Sequence, residues 1–212
     1  ELFKDIIAAY RQVIKELYDA GCRLLQIDDC TWGAIVDDNI LNIISKESGL
    51  TPEELRRELK REFLELNNGI LVDLPEDLTV NTHVCRGNYH STWACSGGYD
   101  SVSDALFEKE KVHAYYLEYD TDRAGDFKPL AKVSDGKKVV LGLLTSKSGK
   151  LEDKDEVIAR IKEASQYVPL EDLYLSTQCG FASTEEGNIL TEEDQWKKIA
   201  LISEIAREVW GE

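Results

Sequence analysis

The stretch NTHVCRGNYHSTWAC, at positions 81–95, places a histidine and a cysteine two residues apart. His83 and Cys85 end an apolar run that is typical of a buried strand, and a loop rich in Arg, Gly, Asn and aromatic residues follows. Because side chains alternate between the two faces of a strand, we expect His83 and Cys85 to point the same way. An imidazole and a thiolate on one face could supply two of the four ligands of a zinc site.

Two more residues that could bind a metal lie at the ends of other apolar runs. Glu118 lies near the end of YYLEYD, and Cys179 precedes Gly180 in YLSTQCG. If these runs are parallel strands, their carboxyl ends lie at one edge of the sheet, where such folds place their active sites. The residues alone leave the ordinary interpretation open: a buried cysteine is often a small hydrophobe, Glu118 could be a solvated carboxylate, and Cys179 could be a turn residue.

Helical and strand patterns alternate along the chain. Apolar residues at helical spacing run to Gly21, and a second helix begins at a capping box, Thr51 with Glu54, that has Pro52 in its first turn. The other predicted elements are strands at 22–28, 78–84, 112–119, 137–145 and 172–177, and helices at 101–110, 152–167 and 191–210. Five apolar strands with helical or irregular crossovers predict an α/β fold with a parallel sheet. The pattern does not choose between an open doubly wound sheet and a (β/α) barrel, which needs eight strands.

Composition excludes several classes of partner. The formal net charge of −16 argues against a broad surface for nucleic acid or for anionic membrane. No apolar run reaches the roughly 18 residues of a membrane span, and no secretion leader opens the chain. The five cysteines form no CxxC pair, which predicts reduced thiols and a cytoplasmic protein. We expect residues 1–212 to form a single domain.

Five segments in chain order carry a family resemblance: LLQIDD, NTHVCRGNYHSTW, YYLEYDTDRAGDF, STQCGFASTEEGN and LTEEDQW. They span nearly the whole chain and resemble the carboxyl-terminal catalytic barrel of the cobalamin-independent methionine synthase family, and more closely its shorter, single-barrel relatives. The resemblance implies the (β/α)₈ TIM barrel shared with uroporphyrinogen decarboxylase. The chain would then carry roughly the last five strand-helix units, with Cys179 after the eighth strand.

The resemblance also implies a zinc site and a reaction. It implies that His83, Cys85, Glu118 and Cys179 are the Zn²⁺ ligands. Asp28 matches the carboxylate that holds the amino group of the thiol substrate, although on its own it would be interpreted as a capping or solvated residue. The implied activity is a methyltransferase that moves a methyl group from 5-methyltetrahydrofolate, or a related donor, to the thiol of homocysteine.

One position departs from the family pattern. Methionine synthases have a histidine near the end of the penultimate strand as a candidate proton donor, whereas this chain has Lys147 at about that place. We therefore weigh Lys147 as a catalytic residue against an ordinary solvated lysine. This departure puts the proton relay and the methyl donor in doubt.

Aromatic and arginine side chains are expected around the mouth of the barrel. They could stack on a pterin or bind a carboxylate, and the alternative is that the two tryptophans pack beneath the loops. The candidates for substrate contact are Trp32, Arg86, Tyr89, Trp93 and Arg123, together with Asp28.

Two other functions stay open on the sequence. One is a zinc-thiol alkyltransferase of the same superfamily with another donor or thiol, and the other is a non-catalytic zinc-binding barrel. The expected partners are small molecules, and a homo-oligomer is not excluded. The chain lacks three of the eight strands of a barrel, and the resemblance implies that the part before it supplies further substrate contacts.

Overall fold

Five parallel strands form one sheet in the computed structural model, which describes residues 1–211. The strands are β1 Leu24–Asp29, β2 Thr79–Val84, β3 Ala114–Glu118, β4 Lys138–Leu144 and β5 Leu173–Thr177. Each strand pairs with the next one along the chain, in the order β1-β2-β3-β4-β5. This order is that of a (β/α) barrel, because a doubly wound sheet reverses its order at a switch point. The predicted α/β fold is confirmed, and the five strands form an open arc.

Seven α-helices accompany the sheet within residues 1–211. They are α1 Leu2–Asp19, α2 Thr31–Val36, α3 Asp38–Ser48, α4 Pro52–Ile70, α5 Ser103–Lys109, α6 Lys154–Ala164 and α7 Glu192–Trp210. The capping box of Thr51 and Glu54 is present at the start of α4. Between β3 and β4, short 3₁₀ turns replace a helix. None of the helices described has the length and apolar character needed to span a membrane.

Helices α2 and α3 occupy a segment for which the sequence predicted no element. Helix α2 is six residues long and mostly buried, so it lacks the amphipathic spacing that reveals a longer helix. Helix α3 does carry helix signals: the Asp37 side chain accepts hydrogen bonds from the first turn, and Gly49 ends the helix with a φ of 75°. Helix α2 also packs closely on the sheet, because a Cβ at Gly33 would lie 2.4 Å from the carbonyl oxygen of Cys85.

The two faces of the sheet differ in polarity. The face under the helices is apolar, and Val80, Tyr115 and Val139 on it are fully buried. Strand alternation places the metal-site candidates on the opposite, inner face. This inner face is exposed to solvent at the two edge strands, where Leu24 on β1 is 65% exposed and Tyr174 on β5 is 48% exposed.

Glu110, between α5 and β3, is a buried carboxyl group that couples stability to pH. It accepts a hydrogen bond from Asn67, whose amide also donates to Asp29. Burial, and then the charge of Asp29, raise the pKa of Glu110 from 4.5 to about 8. Because this carboxyl group binds its proton more tightly in the folded state, its contribution to stability is present below about pH 5 and is lost as the pH rises to 8.

Replacing Glu110 by glutamine should therefore flatten the pH dependence of stability. Between pH 5 and pH 8 the free energy of unfolding of the wild type should fall by about 3 kcal/mol relative to Glu110→Gln. Denaturant titrations at several pH values measure this difference. Glu108→Gln on the exposed side of α5 is the matched control, and its free energy of unfolding should have the same pH dependence as that of the wild type. If Glu110→Gln also has the pH dependence of the wild type, Glu110 is ionised throughout and the assignment is wrong.

Candidate metal centre

Four metal-binding side chains meet at the carboxyl edge of the sheet. His83 lies on β2, and Cys85 directly follows the end of that strand. Glu118 is the last residue of β3, and Cys179 lies in the loop after β5. One ligand atom from each residue lies within 4.8 Å of the others. Three separate strands thus converge on one point, as the parallel register predicted.

The donor atoms fit a zinc ion. The Nδ1 atom of His83 lies 3.2 Å from the carbonyl oxygen of Tyr116, while its Nε2 atom is buried and has no hydrogen-bond partner within residues 1–211. A proton on Nδ1 would leave the Nε2 lone pair facing the cluster, which is the arrangement usual for metal-binding histidines. One imidazole, two thiols and one carboxylate match the ligands that zinc takes in proteins.

The two thiols interact with each other before any ion is considered. The hydrogen bond that Cys85 donates to Cys179 lowers the pKa of Cys179 and raises that of Cys85. The pair therefore retains one proton between two sulfur atoms. A cation bound between them would have to displace that proton, so zinc affinity should increase with pH.

Backbone packing fixes the position of Cys85. Its N–H donates to the carbonyl oxygen of Asp29 and continues the pairing of β1 with β2 beyond the end of the strand. The N–H of Gly87 lies 3.4 Å from its sulfur atom. Gly33 of α2 packs against the carbonyl group of Cys85, so Cys85 has little freedom to move.

Asn88 joins the loop after Cys85 to the loop after Cys179. Its side-chain nitrogen donates to the carbonyl oxygen of Gly180 at 2.7 Å and to the hydroxyl group of Ser183 at 2.6 Å. Its side-chain oxygen accepts from Lys147 at 2.7 Å and from Asn188 at 3.0 Å. All four hydrogen-bonding positions of this amide are in use, so Asn88 fixes the spacing of the two loops.

Further contacts add the loop after β4 to this arrangement. Asn188 donates to the carbonyl oxygen of Ser146 at 2.9 Å, and Gln178 donates to the Ser146 hydroxyl at 2.8 Å. We call Asn88, Ser146, Lys147, Gln178, Ser183 and Asn188 the Asn88 network. Five of these six residues, all except Lys147, have no predicted role from the sequence, because isolated polar residues in loops have no diagnostic spacing.

Lys147 is buried rather than solvated. Its ammonium group donates to the carbonyl oxygen of Gly87 at 3.1 Å as well as to Asn88, and the residue is 7% exposed. Burial lowers the pKa of Lys147 from 10.5, which makes the ammonium group a better proton donor. The catalytic role of Lys147 remains a prediction, and its hydrogen bonds show that it also holds the loop after Cys85.

Three expected substrate contacts remain accessible. Asp28 is exposed, accepts a hydrogen bond from Gln26 at 2.7 Å, and lies directly beside His83 in the strand register. Tyr89 is 50% exposed and Trp93 is 52% exposed on the loop that follows Cys85. The ring of Trp93 also lies over the guanidinium group of Arg123, which pairs with Glu118 of the cluster.

The other three expected substrate contacts are buried. Trp32 is fully buried against Phe63, so it packs beneath the loop and has no surface for a substrate. Arg86 is also fully buried, with its guanidinium group 4.5 Å from the ring of Tyr99. The side chain of Arg123 is 6% exposed and pairs with Glu118, so a substrate carboxylate would have to compete with a carboxylate of the protein.

Comparison with known proteins identifies the family. The family model described as "Cobalamin-independent synthase, Catalytic domain" matches residues 1–200. The chain belongs to this family. Membership places it among the catalytic domains of cobalamin-independent synthases, in agreement with the resemblance found in the sequence.

Relatives and solved structures agree with this assignment. The chain is 46% identical to YxjH and 47% identical to YxjG of Bacillus subtilis, two proteins whose functions are uncharacterised. It spans 55% of the length of each. A Listeria monocytogenes protein to which vitamin-B12 independent methionine synthase activity is attributed is 34% identical, with a TM-score of 0.74 over the whole chain and 56% of that structure.

A more distant structure shares the fold. The B12-independent methionine synthase of Shewanella sp. W3-18-1, solved with selenomethionine, has a TM-score of 0.67 at 20% identity. The match covers 95% of this chain and 52% of that one. In both solved relatives the matched region is about half of a longer protein.

Proposed function

We propose that the protein is a zinc-dependent methyltransferase that moves a methyl group from 5-methyltetrahydrofolate, or a related donor, to the thiol of homocysteine. The observation that carries the proposal is the convergence of His83, Cys85, Glu118 and Cys179 within 4.8 Å in a methionine synthase-like domain. The free Nε2 atom of His83 and the two adjacent thiols favour zinc as the ion. Such thiols must remain reduced, which favours the cytoplasm.

The reaction needs a thiolate at neutral pH. A free thiol has a pKa near 8.5 and is mostly protonated. Zinc held by these four residues would bind the substrate sulfur and favour its deprotonated form. In this proposal Asp28 holds the ammonium group of an amino-thiol, and the exposed rings of Tyr89 and Trp93 contact the methyl donor.

The leaving group of the donor needs a proton. Lys147 is a buried ammonium group in contact with the loop after Cys85, and its lowered pKa suits donation. We propose it as the proton donor. Its third N–H bond, which neither Gly87 nor Asn88 uses, is the one available to a substrate.

A second candidate is alkyl transfer within the same superfamily between another donor and another thiol. The observation that favours it is Lys147, which stands where methionine synthases have a histidine. A methyl-transfer assay on the zinc-loaded protein tests both candidates. Homocysteine and coenzyme-type thiols are each combined with methylated folates, methylamines and methyl thioethers, and the thioether product is quantified.

The outcomes of this assay are distinct. Methionine formed from homocysteine and a methylated folate supports the first candidate. Product from another pair alone supports the second. Zinc binding without product from any pair would leave a non-catalytic zinc barrel and would contradict both.

Asp28→Asn should weaken binding of the amino-thiol. Loss of a charge-assisted hydrogen bond to an ammonium group should raise the KM for homocysteine about 10- to 100-fold. The matched comparison uses 4-mercaptobutyrate, which lacks the amino group and should react equally with the variant and the wild type. Equal losses for both thiols would show that Asp28 does not contact the amino group.

A further inference from the structure

The Glu118 carboxylate is hydrogen-bonded at both oxygen atoms without any ion. The backbone N–H of Arg86 donates to Oε1 at 2.7 Å, and Nη2 of Arg123 donates to Oε2 at 2.8 Å. Glu118 itself has no exposed surface. A carboxylate that shares its lone pairs with two donors is a weaker metal ligand than an unshared one, and it has partners ready when it is not bound to an ion.

The other three ligands have no charged partner outside the cluster. The Nε2 atom of His83 is free within the described residues. The sulfur atom of Cys85 receives a long contact from the Gly87 N–H at 3.4 Å, and that of Cys179 lies 3.7 Å from the hydroxyl group of Ser183. Across residues 1–211, Glu118 is thus the one ligand of the four with a salt bridge to a cationic side chain.

Arg123 is itself held in place by several groups. Its Nη2 atom also lies 2.7 Å from Oδ1 of Asp120, and its Nη1 atom donates to the hydroxyl group of Thr121 at 2.6 Å. The ring of Trp93 covers the guanidinium group with 5.0 Å between their centres. The guanidinium group therefore does not need the metal to keep its position.

We propose that Arg123 is a positioning residue that holds the Glu118 carboxylate when a substrate thiolate takes its place on the metal. The inference rests on the proposed function. In this exchange the thiol loses its proton to solvent, a sulfur–metal bond forms, and the bond between Glu118 and the metal breaks. The released carboxylate is buried, and a buried carboxylate without a countercharge is strongly disfavoured. The ion pair with Arg123 removes that penalty, so the exchange can proceed.

The test is a titration of the cobalt-substituted protein with 2-mercaptoethanol. Thiol binding is read from the increase in thiolate-to-cobalt absorption above the band that the two cysteine ligands already give, and metal affinity is read separately by competition with a chelator. In Arg123→Gln the dissociation constant of the thiol should rise about 10- to 100-fold, because the released carboxylate loses its charged partner. Metal affinity should be unchanged or higher, because Glu118 no longer shares an oxygen atom with a cation.

Three further variants complete the test. Arg123→Lys keeps the charge and should recover part of the thiol affinity. Arg61→Gln removes an exposed arginine of α4 that pairs with Glu62, and it should behave as the wild type. In a Glu118→Gln background, Arg123→Gln should have little further effect, because the neutral amide needs no countercharge when it leaves.

The outcomes separate this inference from the proposed function. If thiol addition does not increase the thiolate band of the wild type, the zinc-thiol function fails. If the band of the wild type increases and Arg123→Gln binds the thiol equally well, the function stands and the role of Arg123 is wrong. A fall in metal affinity without a specific loss of thiol affinity would make Arg123 a structural residue and would also overturn the inference.

Discussion

Replacing Cys179 by serine is expected to abolish zinc binding at neutral pH while the sheet stays folded. Cys179 lies after β5, and its sulfur atom is one of the two that share a proton in the cluster. Serine retains the shape but does not ionise, so one anionic ligand is lost. The loss of affinity should exceed the roughly 10- to 100-fold typical of changes to an outer hydrogen-bond partner. Chelator competition measures the affinity, and circular dichroism checks the fold.

Two matched variants sharpen this test. Cys85→Ser should behave in the same way, because its sulfur atom occupies the same cluster. Cys30→Ser changes an exposed cysteine outside the cluster and should retain stoichiometric zinc. Full zinc retention by both cluster variants would remove the cysteines from the ligand set.

Replacing Asn88 by alanine should give the second-largest effect, although Asn88 is no ligand. Its amide holds the loop after Cys85 to the loop after Cys179, and alanine removes all four hydrogen bonds. The buried ammonium group of Lys147 also loses an acceptor. Zinc affinity should fall about 10- to 100-fold, as for other partners outside the ligand set.

Asn68→Ala is the control for this variant. Asn68 bridges α4 to the segment between α5 and β3 with two hydrogen bonds to the backbone, and this segment enters the sheet at the end of β3 opposite to Glu118. Its replacement should lower the free energy of unfolding without changing the zinc affinity of the folded protein. If Asn88→Ala shows the same pattern, the Asn88 network serves stability alone.

Local sequence patterns were sufficient to predict most of the elements. Helix α4 starts at its capping box, and α7 follows a similar box at Thr191 with Asp194. The strands were recognisable as short apolar runs of the right length. Helix α2 was missed because six largely buried residues lack a polar face, and α3 was missed although its cap at Asp37 was present.

The candidate site was only partly predictable. The His-x-Cys pair and the strand ends were enough to propose four ligands, because alternation and parallel register are local rules. The contacts around them join residues far apart in the chain: Asn88 meets Asn188, and Arg86 donates from its backbone to Glu118. Sequence patterns favoured substrate roles for Arg86 and Arg123, because arginine can bind a carboxylate. Both side chains are buried, which only the three-dimensional packing shows.

Zinc-edge X-ray absorption on the protein with and without homocysteine tests the central claim most directly. The four side chains predict two sulfur atoms and two nitrogen or oxygen atoms around zinc in the free protein. Addition of the thiol should give a third sulfur atom at the expense of an oxygen atom if Glu118 is the ligand that the thiol replaces. An unchanged coordination shell at saturating thiol, or a protein that binds no zinc, would contradict the account.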